Sequence, residues 1–175
     1  MRDIIQTQRL DLRRPEDADA SALARFINDF EVARQTGSIP HPYTRWHAEF
    51  WLTVQTANLR RRLEQAYVIE RDGTLIGSVA LYRPRTDMPF SIGYMLAREA
   101  WGHGYMSEAV AAVMDEAARN EVESVVAAVF TDNSASAKVL RKLGFARTGE
   151  SRSFSMARME SAPVDEFIWQ NEAAR

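Results

Sequence analysis

The 175-residue chain contains no cysteine. That absence removes disulfides, thiolate nucleophiles and cysteine-based zinc sites together. Histidine is scarce, with three copies at positions 41, 47 and 103. None pairs with another at the spacing of metal ligands on a helix, so no metal is expected. Charge of one sign is lacking too. The net charge is −2, with no basic footprint of the kind a nucleic-acid binder carries. The run Arg60-Arg61-Arg62 reads as a solvated helix face rather than a phosphate contact. No apolar run is long enough to span a bilayer. Residues Met1 to Gln6 lack an apolar signal region, so neither a membrane nor a secretory route is expected. These exclusions leave a cytoplasmic protein, with residues 1–175 as a single domain, monomeric or homodimeric.

What is present is a sequence of short, well-punctuated elements. Leu10 and Leu12 alternate with polar neighbours and predict a first strand over 7–13. Pro15 ends it. Leu23, Phe26, Ile27 and Phe30 share one face of a predicted helix over 17–29. Pro40 and Pro42 hold the following segment in a loop, and Thr44 is placed to cap a helix over 45–63. Tyr67 to Ile69 and Leu75 to Tyr82 flank Asp72-Gly73, a hairpin signal. A strand at about 90–96, a helix at 104–119, a Val/Ala-rich strand at 124–130 and a short helix at 133–143 follow. The tail from Phe145 to Gln170 has two strand-like stretches. The order β-α-α-β-β-β-α-β-α-β-β predicts an α/β (α+β) fold, a mixed sheet of about seven strands flanked by helices.

Two stretches carry chemistry. In the first, a strand containing Ile92-Gly93-Tyr94 leads to a turn with Gly102 and Gly104 that opens a helix. Glycines allow a tight turn and close approach to a ligand. The unpaired amides and dipole of a helix start attract an anion of diphosphate size. A plain strand–helix turn would use the same glycines. A dinucleotide fingerprint fails at Ser107, where a third glycine belongs, and a P-loop fails for want of Gly-Lys-Ser/Thr. The second stretch runs from Asp132-Asn133 through Ser136 to Leu143-Gly144-Phe145. By itself it is a capped amphipathic helix: Asn133 caps, Ala135, Val139, Leu140 and Leu143 pack, and Gly144 terminates.

Together the two stretches resemble the GNAT superfamily of N-acetyltransferases, in particular the branch that acetylates ribosomal-protein N-termini (Rim-type). The likeness covers nearly the whole chain. It includes Thr7-x-Arg9-Leu10-x-Leu12-Arg13, Asp29-x-Glu31-Val32, Pro42-Tyr43-Thr44 with Trp51-Leu52, Trp101-Gly102-x-Gly104-Tyr105-x-x-Glu108-Ala109, and Asn133-x-x-Ser136. The resemblance implies a mostly antiparallel sheet splayed between its two central strands. It implies acetyl-CoA as cosubstrate, with the pantetheine arm along the strand ending at Met95 and Leu96. Amides of Gly102, His103, Gly104, Tyr105, Met106 and Ser107 would hold the pyrophosphate. Asn133 would bind the pantetheine region, and Ser136 would sit by the thioester sulfur as the catalytic proton donor. The partner would be an amine acceptor, such as a ribosomal or other protein N-terminus.

Two positions depart from the family pattern. The tyrosine acid that many members carry seven residues after the asparagine is Leu140 here, which leaves Ser136 as donor. The glutamate that relatives often carry before Ile-Gly-Tyr is Ser91, a poor base. Deprotonating a free α-amine at pH 7 costs about 1.2 kcal/mol, against about 4.6 kcal/mol for a lysine-like amine. Loss of the base therefore favours an α-amine acceptor, unless another carboxylate such as Glu31 or Asp87 reaches the site. Other members act on small amines: an amino acid, a polyamine or an antibiotic. A non-catalytic acyl-CoA sensor would share the same cofactor motifs. Residues 28–51 and 150–165 are expected to build the acceptor site. Trp46, Phe50 and Trp51 are candidates for its lining, though their spacing favours core packing.

Overall fold

The computed structural model describes residues 1–171. Eight strands form one open sheet: β1 (Ile4–Gln6), β2 (Asp11–Arg13), β3 (Glu64–Arg71), β4 (Thr74–Tyr82), β5 (Phe90–Leu96), β6 (Ser124–Phe130), β7 (Ala146–Ser155) and β8 (Glu160–Gln170). Their order across the sheet is β1-β2-β3-β4-β5-β6-β8-β7. Every pairing is antiparallel except β5 with β6. The count is one above the expected seven because the predicted opening strand is a hairpin. The Thr7 amide donates to the Leu10 carbonyl at 2.9 Å, turning the chain back so that Ile4–Gln6 pairs with Asp11–Arg13.

Five helices cover the two faces. On one side lie α1 (Ala20–Ile27), α2 (Phe30–Ala33) and α3 (Arg45–Arg60). They share a core with Val68 and Ala97. On the other lie α4 (Tyr105–Arg119) and α5 (Ser134–Lys142). There Val110, Val113, Ala117 and Leu140 pack on Tyr67, Ile69, Val79, Leu81 and Phe167. The alternation of residues along β3 explains the division: Tyr67 and Ile69 enter one core, Val68 the other. The predicted helix over 17–29 begins as a 3-10 turn at Asp17–Asp19 and stops at Ile27. Thr44 starts α3 as expected, and its amide donates to His47 Nδ1 at 3.0 Å. That contact gives His47 a capping role. Asp72 and Gly73 both take positive φ at the β3–β4 turn. Among the described residues no helix is long and apolar enough to cross a membrane.

Arg13 fastens the first hairpin to the helical layer. Its guanidinium donates to both oxygens of the buried Asp19 at 2.7 and 2.8 Å, and to Glu70 at 2.6 Å. Burial pushes the Asp19 carboxyl up. The Arg13 hydrogen bonds and the Glu16 amide more than reverse this, so it lies below the ordinary 3.8. A carboxyl lowered by folding contributes its stability fully above the ordinary value and loses it as pH falls through the folded one. Arg13→Met is expected to cost about 2–4 kcal/mol at pH 7, because it strands a buried carboxylate. Urea unfolding in steps from pH 7 to pH 3 should show the difference from wild type shrinking as Asp19 protonates. A difference that stays constant over that range would contradict this assignment.

Candidate active site

The parallel strands β5 and β6 share only two residue pairs, Phe90 with Val125 and Ser91 with Val126. Beyond Ser91, β5 follows β4 to Leu96, while β6 follows β8 to Phe130. The sheet therefore opens as a V. A cavity of about 1350 Å³ lies in the opening and reaches both faces. Backbone polar groups along the opening lack the strand partner that sheet residues normally have. Met95 is not one of them, because its carbonyl points at β4, against Gly77. By strand alternation, the Tyr94 and Leu96 groups face the gap. The Leu96 carbonyl accepts from Trp101 Nε1 at 3.0 Å.

The glycine turn stands at the α4 side of this cavity. Gly102 and Gly104 have φ of +80° and +78°, the left-handed region that favours glycine. Gly104 is the N-cap of α4 and offers no side chain to its first-turn amides. Gly102, Gly104, Tyr105, Met106 and Ser107 all line the cavity. Nothing lies within 4 Å of where a Gly102 side chain would start. Uncapped amides, a positive helix end and open space fit a pyrophosphate. His103 is set apart from this group. Its ring stacks on Tyr105 at 5.4 Å and borders a separate, smaller cavity. Only its backbone belongs to the turn, and there Arg9 Nη1 donates to the His103 carbonyl at 3.0 Å. Arg9 also lies over the Tyr105 ring and holds Glu108 at 2.7 Å. Thr7 Oγ1 donates to Glu108 at 2.6 Å. Burial raises the Glu108 carboxyl and these donors lower it, with a net downward shift. The opening motif Thr7-x-Arg9 is thus the clamp on the glycine turn.

Asn133 and Ser136 face the same cavity from the start of α5. Asn133 Oδ1 accepts from the Ser136 amide at 3.0 Å, which confirms the cap. Ser136 Oγ lies 2.8 Å from the Tyr94 hydroxyl. Burial pushes the Tyr94 hydroxyl up to about 12, against a smaller lowering by Ser136. Tyr94 therefore stays protonated at neutral pH, as a fixed hydroxyl beside Ser136. Within Ile92-Gly93-Tyr94 the motif announces no role for the tyrosine. The period of two that pairs Tyr94 with Ile92 and Leu96 was the available signal.

The α3 side of the cavity holds Ser91, Tyr82 and Glu64. Glu31 and Asp87 are elsewhere: Glu31 pairs with Arg34, and Asp87 with Arg85. Glu64 is thus a carboxylate in the cavity that no motif announced. Trp51 lines the cavity, as do Gln35 to Ile39 and Phe154. Trp46 and Phe50 do neither of the things expected of them. They are 66% and 59% exposed and stack on each other at 5.8 Å on the outer face of α3. Asp132 at the rim is held by both Arg158 and Arg34 at 2.8–2.9 Å. Arg158 foremost, with Arg34 assisting, lowers the Asp132 carboxyl. The triad ties the β7–β8 turn and α2 to the residue before Asn133. Among the described residues no group of three His, Asp or Glu is arranged to hold a metal.

Comparison with known proteins gives the family and the fold. Residues 9–146 match the model of the acetyltransferase (GNAT) domain. The chain is 31% identical over 157 residues to the uncharacterized N-acetyltransferase YoaA of Bacillus subtilis, covering 86% of this chain and 87% of that protein. The fold is similar to that of the ribosomal-protein-S5-alanine acetyltransferase of Vibrio fischeri, with a TM-score of 0.85 at 22% identity over 98% of each chain. It is also similar to RimL, a ribosomal L7/L12 α-N-protein acetyltransferase solved with coenzyme A. That match has a TM-score of 0.84 at 20% identity, over 97% of this chain and 99% of RimL.

Coenzyme A is expected to raise the melting temperature, with about 2.7 kcal/mol added at 100 times its Kd. Gly104→Glu should remove most of that increment, since it places a carboxylate against the uncapped amides. Equal stabilisation of wild type and variant in a thermal-shift titration would exclude this turn as the pyrophosphate site.

Proposed function

Because the chain belongs to the GNAT acetyltransferase family, we propose that this N-acetyltransferase acts through residues 1–175 as one unit in the cytoplasm. Its acceptor is the free α-amine of a protein or peptide N-terminus. The observation that carries the reading is Ser91. It stands where the two central strands part and bears no carboxylate of its own; Glu64, on the same face, is two strands away. The weakly basic amine of a polypeptide N-terminus suits that position. The α-amine acceptors of the structurally similar ribosomal-protein enzymes agree with it.

Acetyl-CoA, the cosubstrate of the family, supplies the acetyl group. The amides of Gly102 to Ser107 bind its diphosphate, with Gly104 leaving them uncapped. Asn133 keeps an amide group free for the pantetheine arm, since only its Oδ1 serves the helix cap. The gap-facing backbone of Tyr94 and Leu96 adds to the arm, and their amides polarise the carbonyl as an oxyanion hole does. Met95 contributes side-chain surface to the cavity wall. The amine attacks the carbonyl from the α3 side and sheds a proton to solvent, the carbon–sulfur bond breaks, and the thiolate takes a proton. Ser136 Oγ donates that proton, backed by the Tyr94 hydroxyl at 2.8 Å. A second reading, a small polycationic amine, has one observation in its favour: Glu64 and Glu166 both line the cavity.

Ser136→Ala should lower kcat at least about tenfold with little change in CoA affinity, because a proton donor acts at the transition state. An unchanged kcat with weakened CoA binding would make Ser136 a ligand instead. A panel of N-terminal peptides, lysine side chains and polyamines, read by thiol release at pH 7–8, tests the acceptor. α-Amines should lead by up to roughly 3.4 kcal/mol in kcat/KM, the difference in deprotonation cost. Faster turnover of a polyamine would favour the second reading.

A further inference from the structure

Cross-strand register puts Glu64, Tyr82 and Ser91 in one row across β3, β4 and β5. Directly paired residues present their side chains on the same face. That face is the α3 side, because Gln55 and Asn58 of α3 donate to the two Glu64 oxygens at 2.6 and 2.9 Å. Tyr82 leans out of its own strand. A Cβ added at Gly93 would lie 3.2 Å from Tyr82 Cε1 and 4.0 Å from its hydroxyl oxygen. The ring therefore reaches over β5, and its hydroxyl sits above Gly93, two residues past Ser91. Gly93 lacks a side chain where the ring needs the room. Three strands thus bring a hydroxyl and a carboxylate to the same face of the cavity wall.

We propose that Tyr82 and Glu64 form the proton outlet for the acceptor amine, taking over the task that a carboxylate at position 91 would perform. The proposal rests on acyl transfer to a primary amine, not on which amine it is. The neutral amine that attacks sheds one proton to solvent as the nitrogen–carbon bond forms; before that, the arriving ammonium has given up another. The Tyr82 oxygen accepts this ammonium proton while its own O–H proton passes through intervening water to a Glu64 oxygen. Each Glu64 oxygen accepts a single amide donor and so keeps a lone pair for the purpose. The thiolate is protonated separately, from Ser136. Glu64 then returns its proton to solvent, and solvent restores Ser136.

The surroundings favour this direction of transfer. Gln55 and Asn58 of α3 are neutral, as are Tyr82 and Ser91 on the neighbouring strands. Arg83 is turned to the opposite face, over the Phe90 ring at 4.3 Å. The exposed Arg60 to Arg62 end α3 outside the cavity. Glu166 on β8 adds negative charge from across the opening. The cation of the described cavity wall is Lys138, on α5 at the other face. Burial, and then the Glu64 charge, raise the Tyr82 hydroxyl. It is therefore protonated when the amine arrives and able to hand a proton on.

The test uses Glu64→Gln and Tyr82→Phe, with whichever primary amine the wild type turns over. Glu64→Gln keeps the shape of the side chain, and amide flips of Gln55 or Asn58 restore its hydrogen bonds. Each variant should lose about 10–100-fold in kcat/KM near pH 7. The loss should close as pH rises past the pKa of the amine itself, where no proton outlet is needed. CoA affinity and melting temperature should stay at wild-type values. Glu64→Asp should recover part of the activity. An unchanged rate, or a loss equal at every pH, would overturn the proposal. If Glu64→Gln fails to fold, Tyr82→Phe carries the same pH test. Turnover of small amines but not α-amine peptides would break the acceptor reading and leave this one standing. A wild type that acetylates no primary amine would overturn both.

Discussion

The separation of β5 from β6 after two residue pairs governs the rest of the site. A continuous sheet would satisfy its own backbone and admit nothing between its faces. Here β5 runs with β4 and β6 with β8, so closing the gap would require each strand to move together with its antiparallel partner. The opening is therefore held by the sheet itself. It provides backbone groups with unfilled hydrogen-bonding capacity, and it joins a helix-start anion site on one face to a polar pocket on the other. A cosubstrate and an acceptor can then meet at the sheet while entering from opposite sides.

Two clamps hold the walls of the opening. On the α4 side, Glu108 gathers Thr7 and Arg9, and Arg9 reaches the carbonyl between the two turn glycines. That arrangement keeps the flexible glycine turn in one place while its amides stay free for an anion. On the α3 side, Asp132 gathers Arg34 and Arg158, fixing the β7–β8 turn against the residue before Asn133. In both cases a carboxylate takes donors from segments distant in sequence. Both carboxyls are shifted toward the ionised form, so both clamps persist at neutral pH.

Much of this was legible in the residues. The glycine turn, the Asn133 cap and the strand at 90–96 are local patterns, and local patterns carry their own geometry. The two departures, Ser91 and Leu140, were also visible, because a missing carboxylate or hydroxyl is a local fact. For Leu140 the motif itself offers Ser136; what could stand in for a carboxylate at position 91 was not visible. Glu64 joins the cavity through cross-strand register, which sets strands β3 to β5 side by side but leaves no mark in the spacing of residues. Tyr82 is at the site because its ring leans over Gly93, a tertiary contact. Trp46 and Phe50 show the converse limit. Their spacing on α3 suited a core, yet the inner face of that helix is filled by Ala48 and Leu52, which leaves the two larger rings outside. The first strand divided into a hairpin because Thr7 and Leu10 bond each other, a turn that apolar alternation does not reveal.

The central claim is that one opening in the sheet serves both substrates, with the cosubstrate held by β5 and the glycine turn. Amide hydrogen exchange of the wild-type protein, with and without coenzyme A, tests it most directly. The account predicts slower exchange at Tyr94 and Leu96 on β5 and across Gly102 to Ser107, with α3 little changed. Protection confined to the smaller cavity beside His103, around Arg71, Thr74 and Arg98, would contradict it.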